Sequence, residues 1–214
     1  MALSKVDFNN INVTPAASKK LKWNSSANGF ETGDVGGNMV LLSTQTASSS
    51  STISFTSGID STYDEYVFKF IDIHPSYDSG KFSFNMSVDG GSNYNVAKTT
   101  TCFEAYHYED DSSTVFNYAG GGDLAQGTGD QNILRGVGAD NDQSGCATMH
   151  LFDPSSTTFV KHFLIRASRS QSIDYAADNF FAGYGNTTSA VNAIRFQFNS
   201  GNIDSGTIKM YGVT

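Results

Sequence analysis

Apolar and polar residues alternate with a period of two along most of the chain, and the alternation is cleanest at the end. Ile194, Phe196 and Phe198 alternate with Arg195, Gln197 and Asn199, and further on Ile208 and Met210 alternate with Thr207, Lys209 and Tyr211. A period of two sends neighbouring side chains to opposite faces, so each run offers one apolar face to a core and one polar face to water. Residues 199–206 between them hold two glycines, two asparagines, two serines and an aspartate, types that reverse a chain at low cost. The pattern predicts a closing β-hairpin over 193–214, with the rest of the chain supplying the other half of its core.

Upstream, strand signals run from Met39. Residues 39–43 and 52–56 are separated by a serine tract, and 66–73 is apolar on both faces, as expected of a central strand. Pro75 ends that run, and Phe82, Phe84, Met86 and Val88 then alternate with Lys81, Ser83, Asn85 and Ser87. Further strands are expected at 99–108, 132–137, 146–152, 158–166 and 180–184. Residues 119–132 and 170–179 look like long polar loops. About ten to twelve strands joined by polar turns, with no amphipathic helical stretch between them, predict an all-β antiparallel sandwich or jelly roll over 39–214.

Residues 1–38 show no strand or helix period long enough to bury a face. Scattered apolar points include Phe8, Leu21, Phe30 and the single tryptophan, Trp23. An isolated tryptophan in a thin segment suggests an arm that orders on a partner, because aromatics carry interface energy. The arm would dock through Phe8, Leu21, Trp23 and Phe30.

Composition supports a β core. Aromatics reach 13% of the 214 residues, and only 16% are charged. The net charge of −8 and the lack of a basic stripe argue against nucleic acid and anionic lipid as partners. No segment has the length or hydropathy of a membrane span, and the first residues lack the apolar run of a signal peptide, so synthesis in the cytoplasm is expected. Cys102 and Cys146 fall inside expected strands, where buried free thiols are the commoner outcome than a bridge.

Few constellations offer chemistry. Ser87-Val-Asp-Gly-Gly-Ser-Asn-Tyr94 resembles the Asp-box of sialidase-like propellers in a single copy, and is expected to be a structural hairpin tip. The stretch 140–145 opens like a calcium loop, but Leu151 stands where the bidentate Glu is needed. Among His74, His107, His150 and His162 no pair has zinc-ligand spacing, although Cys146, His150 and His162 form an imaginable metal set. The acidic run Glu109, Asp110 and Asp111 suits a solvated turn. The sequence predicts no enzyme, no cofactor and no metal.

Three stretches carry a resemblance: 41–48 (Leu-Leu-Ser-Thr-Gln-Thr-Ala-Ser), 66–75 (Tyr-Val-Phe-Lys-Phe-Ile-Asp-Ile-His-Pro) and 201–212 (Gly-Asn-Ile-Asp-Ser-Gly-Thr-Ile-Lys-Met-Tyr-Gly). Together they look like virion structural proteins of tailed bacteriophages, those of marine and cyanobacterial phages in particular. Residues 21–30 also look like the arm or shaft segment of fibre-type proteins. The resemblance implies a fibre or capsid-decoration protein located in the virion. Its partners would be capsid, portal, tail or fibre proteins and further copies of itself, with a trimer favoured. It also implies an outward-facing sandwich that contacts host-surface glycan, its tip made by the loops 119–132 and 170–179. Two alternatives come from other classes. A jelly-roll glycan-degrading enzyme would use Glu104, Glu109 or Asp110. A freestanding carbohydrate-binding module would present Tyr106, Tyr108 and Tyr118.

Overall fold

A computed structural model describes residues 19–26, 28–34 and 38–213, and every regular element among them is a β-strand. The chain divides into two units, with the boundary after Val40. Phe8 lies outside the described residues.

The first unit contains a two-stranded hairpin, β1 (Lys19–Trp23) and β2 (Phe30–Asp34), where the sequence suggested no strand. The alternation is present, with Leu21 and Trp23 alternating with Lys20 and Lys22, but at five residues it is too short to stand out. Trp23 lies opposite Phe30, and the two rings stack with centroids 4.4 Å apart. Asn24 closes the turn: its N–H donates to the Gly29 carbonyl, and its side chain exchanges hydrogen bonds with Asn28. Leu21, Trp23 and Phe30 are 42%, 60% and 41% exposed, so the hairpin leaves its aromatic face uncovered.

The second unit is a β-sandwich. Its larger layer has eight antiparallel strands in the order β3 (Met39–Ser50), β14 (Ile203–Val213), β5 (Glu65–Pro75), β10 (Gly145–Phe152), β11 (Lys161–Gln171), β12 (Tyr175–Gly185), β7 (Lys98–Tyr108) and β8 (Thr114–Tyr118). The smaller layer has four, in the order β4 (Ile53–Phe55), β13 (Ala193–Phe198), β6 (Gly80–Ser87) and β9 (Gln131–Val137). Alternate residues of both layers meet in an aromatic core. Phe196 of the small sheet touches Phe68 and Phe70 of the large one, at centroid distances of 5.5 and 5.0 Å. Phe82 meets Phe70, and Phe84 meets Phe163 edge-on, so both ends of the core are bridged in the same way. Edge-to-face aromatic contacts of this kind add to the area each ring buries.

The expected closing hairpin does not form. β13 pairs with β4 and β6 in the small sheet, whereas β14 pairs with β5 in the large one, so the turn at 199–202 crosses between layers. Alternation shows which side chains face the core and is the same for a hairpin and for two strands facing across it. β14 also slips register against β5 around Ser205, next to Gly206, whose φ of +129° brings its α-carbon over the Asp72 carbonyl. A Cβ there would approach that oxygen to 2.8 Å, so only glycine fits.

Of the two expected long loops, 170–179 is corrected and 119–132 holds over 119–130, where no strand lies between β8 and β9. Residues 170–179 are mostly the ends of β11 and β12, joined by a tight turn at 172–174. They escaped notice because their buried residues, Ala177 and Asn179, are small or polar, and the neighbouring Arg169 is charged. Residues 119–130 leave the large sheet for the small one, but they are pinned along β7. The N–H groups of Thr100 and Lys98 donate to the carbonyls of Leu124 and Gly127, where β8 no longer reaches. This segment extends the sheet edge at Leu124 and Gly127.

Candidate functional site

Within the second unit the small sheet covers one face of the large sheet and leaves the other face open. Along β11 the buried residues Phe163, Ile165, Ala167 and Arg169 alternate with exposed His162, Leu164, Arg166 and Ser168, which point to the open side. Pairing extends this parity across the sheet. One row of directly opposed residues runs Tyr118, Phe103, Phe180, Arg166, Thr148, Lys69 and Lys209. A neighbouring row runs Phe116, Ala105, Asp178, Ser168 and Cys146.

At one end these rows form an aromatic shelf. Phe103 and Phe180 stack with centroids 4.7 Å apart, Phe116 meets Phe103 edge-on, and the Arg166 guanidinium lies over Phe180 at 5.0 Å. Asp178 accepts from Arg166 Nε and Nη2 and fixes that side chain. Phe116, at 73% exposure, is the most exposed large apolar side chain among the described residues. Beside the shelf lies a groove of about 1310 Å³, lined by Thr148, Arg166, Ser168, Ala176 and Asp178, with Lys69 and Tyr211 on its far wall. Small side chains in the middle of the rows leave this hollow between the larger ones.

The proposed glycan tyrosines separate. Tyr118 lies on the open face, opposite Phe103, and its hydroxyl donates to Asp123 Oδ2 at 2.6 Å. Tyr106 and Tyr108 have the other parity and cluster with Tyr175, which lies under Arg169 on the inward side. Phe103, Phe116 and Phe180 were missed, although adjacent bulky pairs mark two of them. In Cys102-Phe103 and Phe180-Phe181 a strand must send one side chain inward and the next outward.

The carboxylates expected of a hydrolase do not converge. Glu104 faces inward, where Arg135 Nη1 lies 3.1 Å from Oε1, an ion pair without the alignment of a hydrogen bond, and Asn179 donates to Oε2 at 2.9 Å. Arg169 Nη2 is 3.7 Å from the same oxygen. Glu109 and Asp110 lie in the exposed turn after β7, where Asp110 accepts from the Ser112 N–H; the Ser112 bonds hold its carboxyl below the usual range.

Cys146, His150 and His162 all face the open side but hold different partners. The Cys146 thiol lies 3.6 Å from Asp72 Oδ1, His150 Nδ1 bonds Glu65, and His162 packs on Tyr184. Among the described residues no three His, Cys, Asp or Glu side chains are grouped to hold a metal ion, and 140–145 is a turn closed by Gln143. Cys102 is buried on the inward side, where desolvation pushes its thiol up to about 11, whereas Cys146 is exposed on the open side. The two cannot pair across the sheet, and only one of the two expected buried thiols is buried.

The Asp-box-like stretch is structural, although it crosses between layers and is no hairpin. Asp89 accepts from Ser87 Oγ and from the N–H and side-chain amide of Asn93, which hold its carboxyl down to about 2. Close by, Lys98 is buried completely, donating to Asn85 Oδ1 and the Val96 carbonyl, and burial lowers its pKa to about 8. Asp130 gathers Asn85, Gln197 and Arg195 around the same spot. These groups tie β6, β13 and the 119–130 segment together. Compared with known protein families, characterised proteins and solved structures, the chain matches none.

Proposed function

We propose that the chain is a structural and adhesive protein of a bacteriophage particle, a fibre or capsid-decoration component. Its N-terminal segment docks on a neighbouring virion protein, and the sandwich faces outward and attaches to host-surface glycan. The observation that carries the docking half is the uncovered aromatic face of the hairpin, Leu21, Trp23 and Phe30. Two strands alone are marginal in water, and such a face gains its stability from a partner. The sandwich half rests on a rigid aromatic core beneath an open sheet with an aromatic shelf. A homo-oligomer, with a trimer favoured, fits this arrangement, and mass measurement in solution tests it.

Trp23→Ala tests the docking. Incorporation into particles should fall by on the order of tenfold or more, as for a central interface aromatic. The melting of the sandwich should stay unchanged, since β1 and β2 belong to the other unit. A variant that melts early, or that enters particles like the parent, removes the docking role. The shelf also favours a second reading, a freestanding carbohydrate-binding module, which glycan binding by monomeric protein without particle incorporation would support.

A further inference from the structure

We infer that the open face binds an acidic polysaccharide, its carboxylates meeting Lys69 and Lys209 and a sugar ring packing on Phe116. The inference rests on the adhesive reading above and names its ligand class. Lys69 and Lys209 are directly opposed on β5 and β14, and like charges so placed repel. Among the described residues neither closes an ion pair, and Lys69 Nζ has only Thr148 Oγ1, at 3.3 Å. Of the carboxylates nearby, Asp178 is engaged by Arg166 and Glu65 by His150, and Asp72 lies against the Cys146 thiol. An unmatched cation pair on the open face of a chain with net charge −8 calls for an anion from outside.

The rest of the face selects the kind of anion. Four strand spacings, about 19 Å, separate Lys69 from Phe103, against which Phe116 packs, so a ligand reaching from Lys69 to Phe116 is a chain of several units. The groove between them is lined by Thr148, Arg166, Ser168 and Asp178, donors and acceptors suited to hydroxyl groups. An exposed aromatic ring such as Phe116 packs on the apolar face of a sugar ring, and carboxylates spaced along a glycan need only a few cations. A nucleic acid carries a phosphate at every step, and the overall negative charge opposes it.

The test is equilibrium binding of the full chain to polygalacturonate, to hyaluronate, to neutral dextran and to oligo-dT, each at low and high salt. The uronate polymers should bind, more weakly at high salt. Lys69→Gln with Lys209→Gln should weaken them by on the order of tenfold, and Phe116→Ala should also weaken them. Lys81→Gln, an exposed lysine on the small sheet, should leave binding unchanged. Failure of both uronates to bind, dextran binding as well as they do, tighter binding of oligo-dT, or an unaffected double variant would each overturn the inference. Particle incorporation of the unsubstituted chain separates the outcomes. A chain that enters particles yet ignores uronates loses this inference alone, whereas one that fails to enter them counts against the adhesive virion reading.

Discussion

Phe196→Ala should destabilise the sandwich by about 3–5 kcal/mol, the usual cost of removing a fully buried phenylalanine. Phe196 is wholly buried and touches Phe55, Phe68, Phe70 and Phe82, so its ring joins both layers. The cavity would open where the sheets meet, a place that neither backbone can close alone. Chemical denaturation measures the effect. Phe116→Ala, which removes the same ring from the exposed shelf, should cost less than about 1 kcal/mol. Equal losses at the two positions would mean that the layers do not pack as described.

Glu104→Ala should be comparably damaging, at about 3–5 kcal/mol, through charge and not through volume. Its carboxylate lies between Arg135 and Arg169, and Arg169 is almost fully buried. Removing it leaves the buried Arg169 and the largely buried Arg135 without their shared counter-charge, and Asn179 loses its acceptor. Glu109→Ala, in the exposed turn, should stay within about 0.5 kcal/mol of the parent. If Glu104→Ala folds as stably as the parent but abolishes turnover of a polysaccharide, the hydrolase reading replaces the structural one.

The strands were legible wherever one face is apolar and the other polar, as in Phe82, Phe84 and Met86 or Ile194, Phe196 and Phe198. Sheet membership was not, because β13 and β14 carry the pattern that hairpin partners would carry. β8 was invisible for a different reason. Thr114–Tyr118 is an edge strand with little buried on either face, so it has no alternation to read. The ends of β11 and β12 looked like loops because their core is an ionic network around Arg169 and Asn179. The open face was the least legible part. Its members come from seven strands, and only their register places Lys69 beside Lys209 or Phe116 beside Phe103. Tyr106 and Tyr108 were plausible by residue type, and only parity shows that they do not share a face with Tyr118.

Thiol labelling of intact particles tests most directly which face looks outward. Cys146 is exposed on the open side, and Cys102 is buried with its thiol held up to about 11, so a maleimide at neutral pH distinguishes them. The outward-facing account predicts that Cys146 reacts as readily in the particle as in the free protein, while Cys102 stays unmodified in both. A Cys146 that reacts when free and is shielded in the particle would show that the open face is itself the docking surface, and would contradict the account.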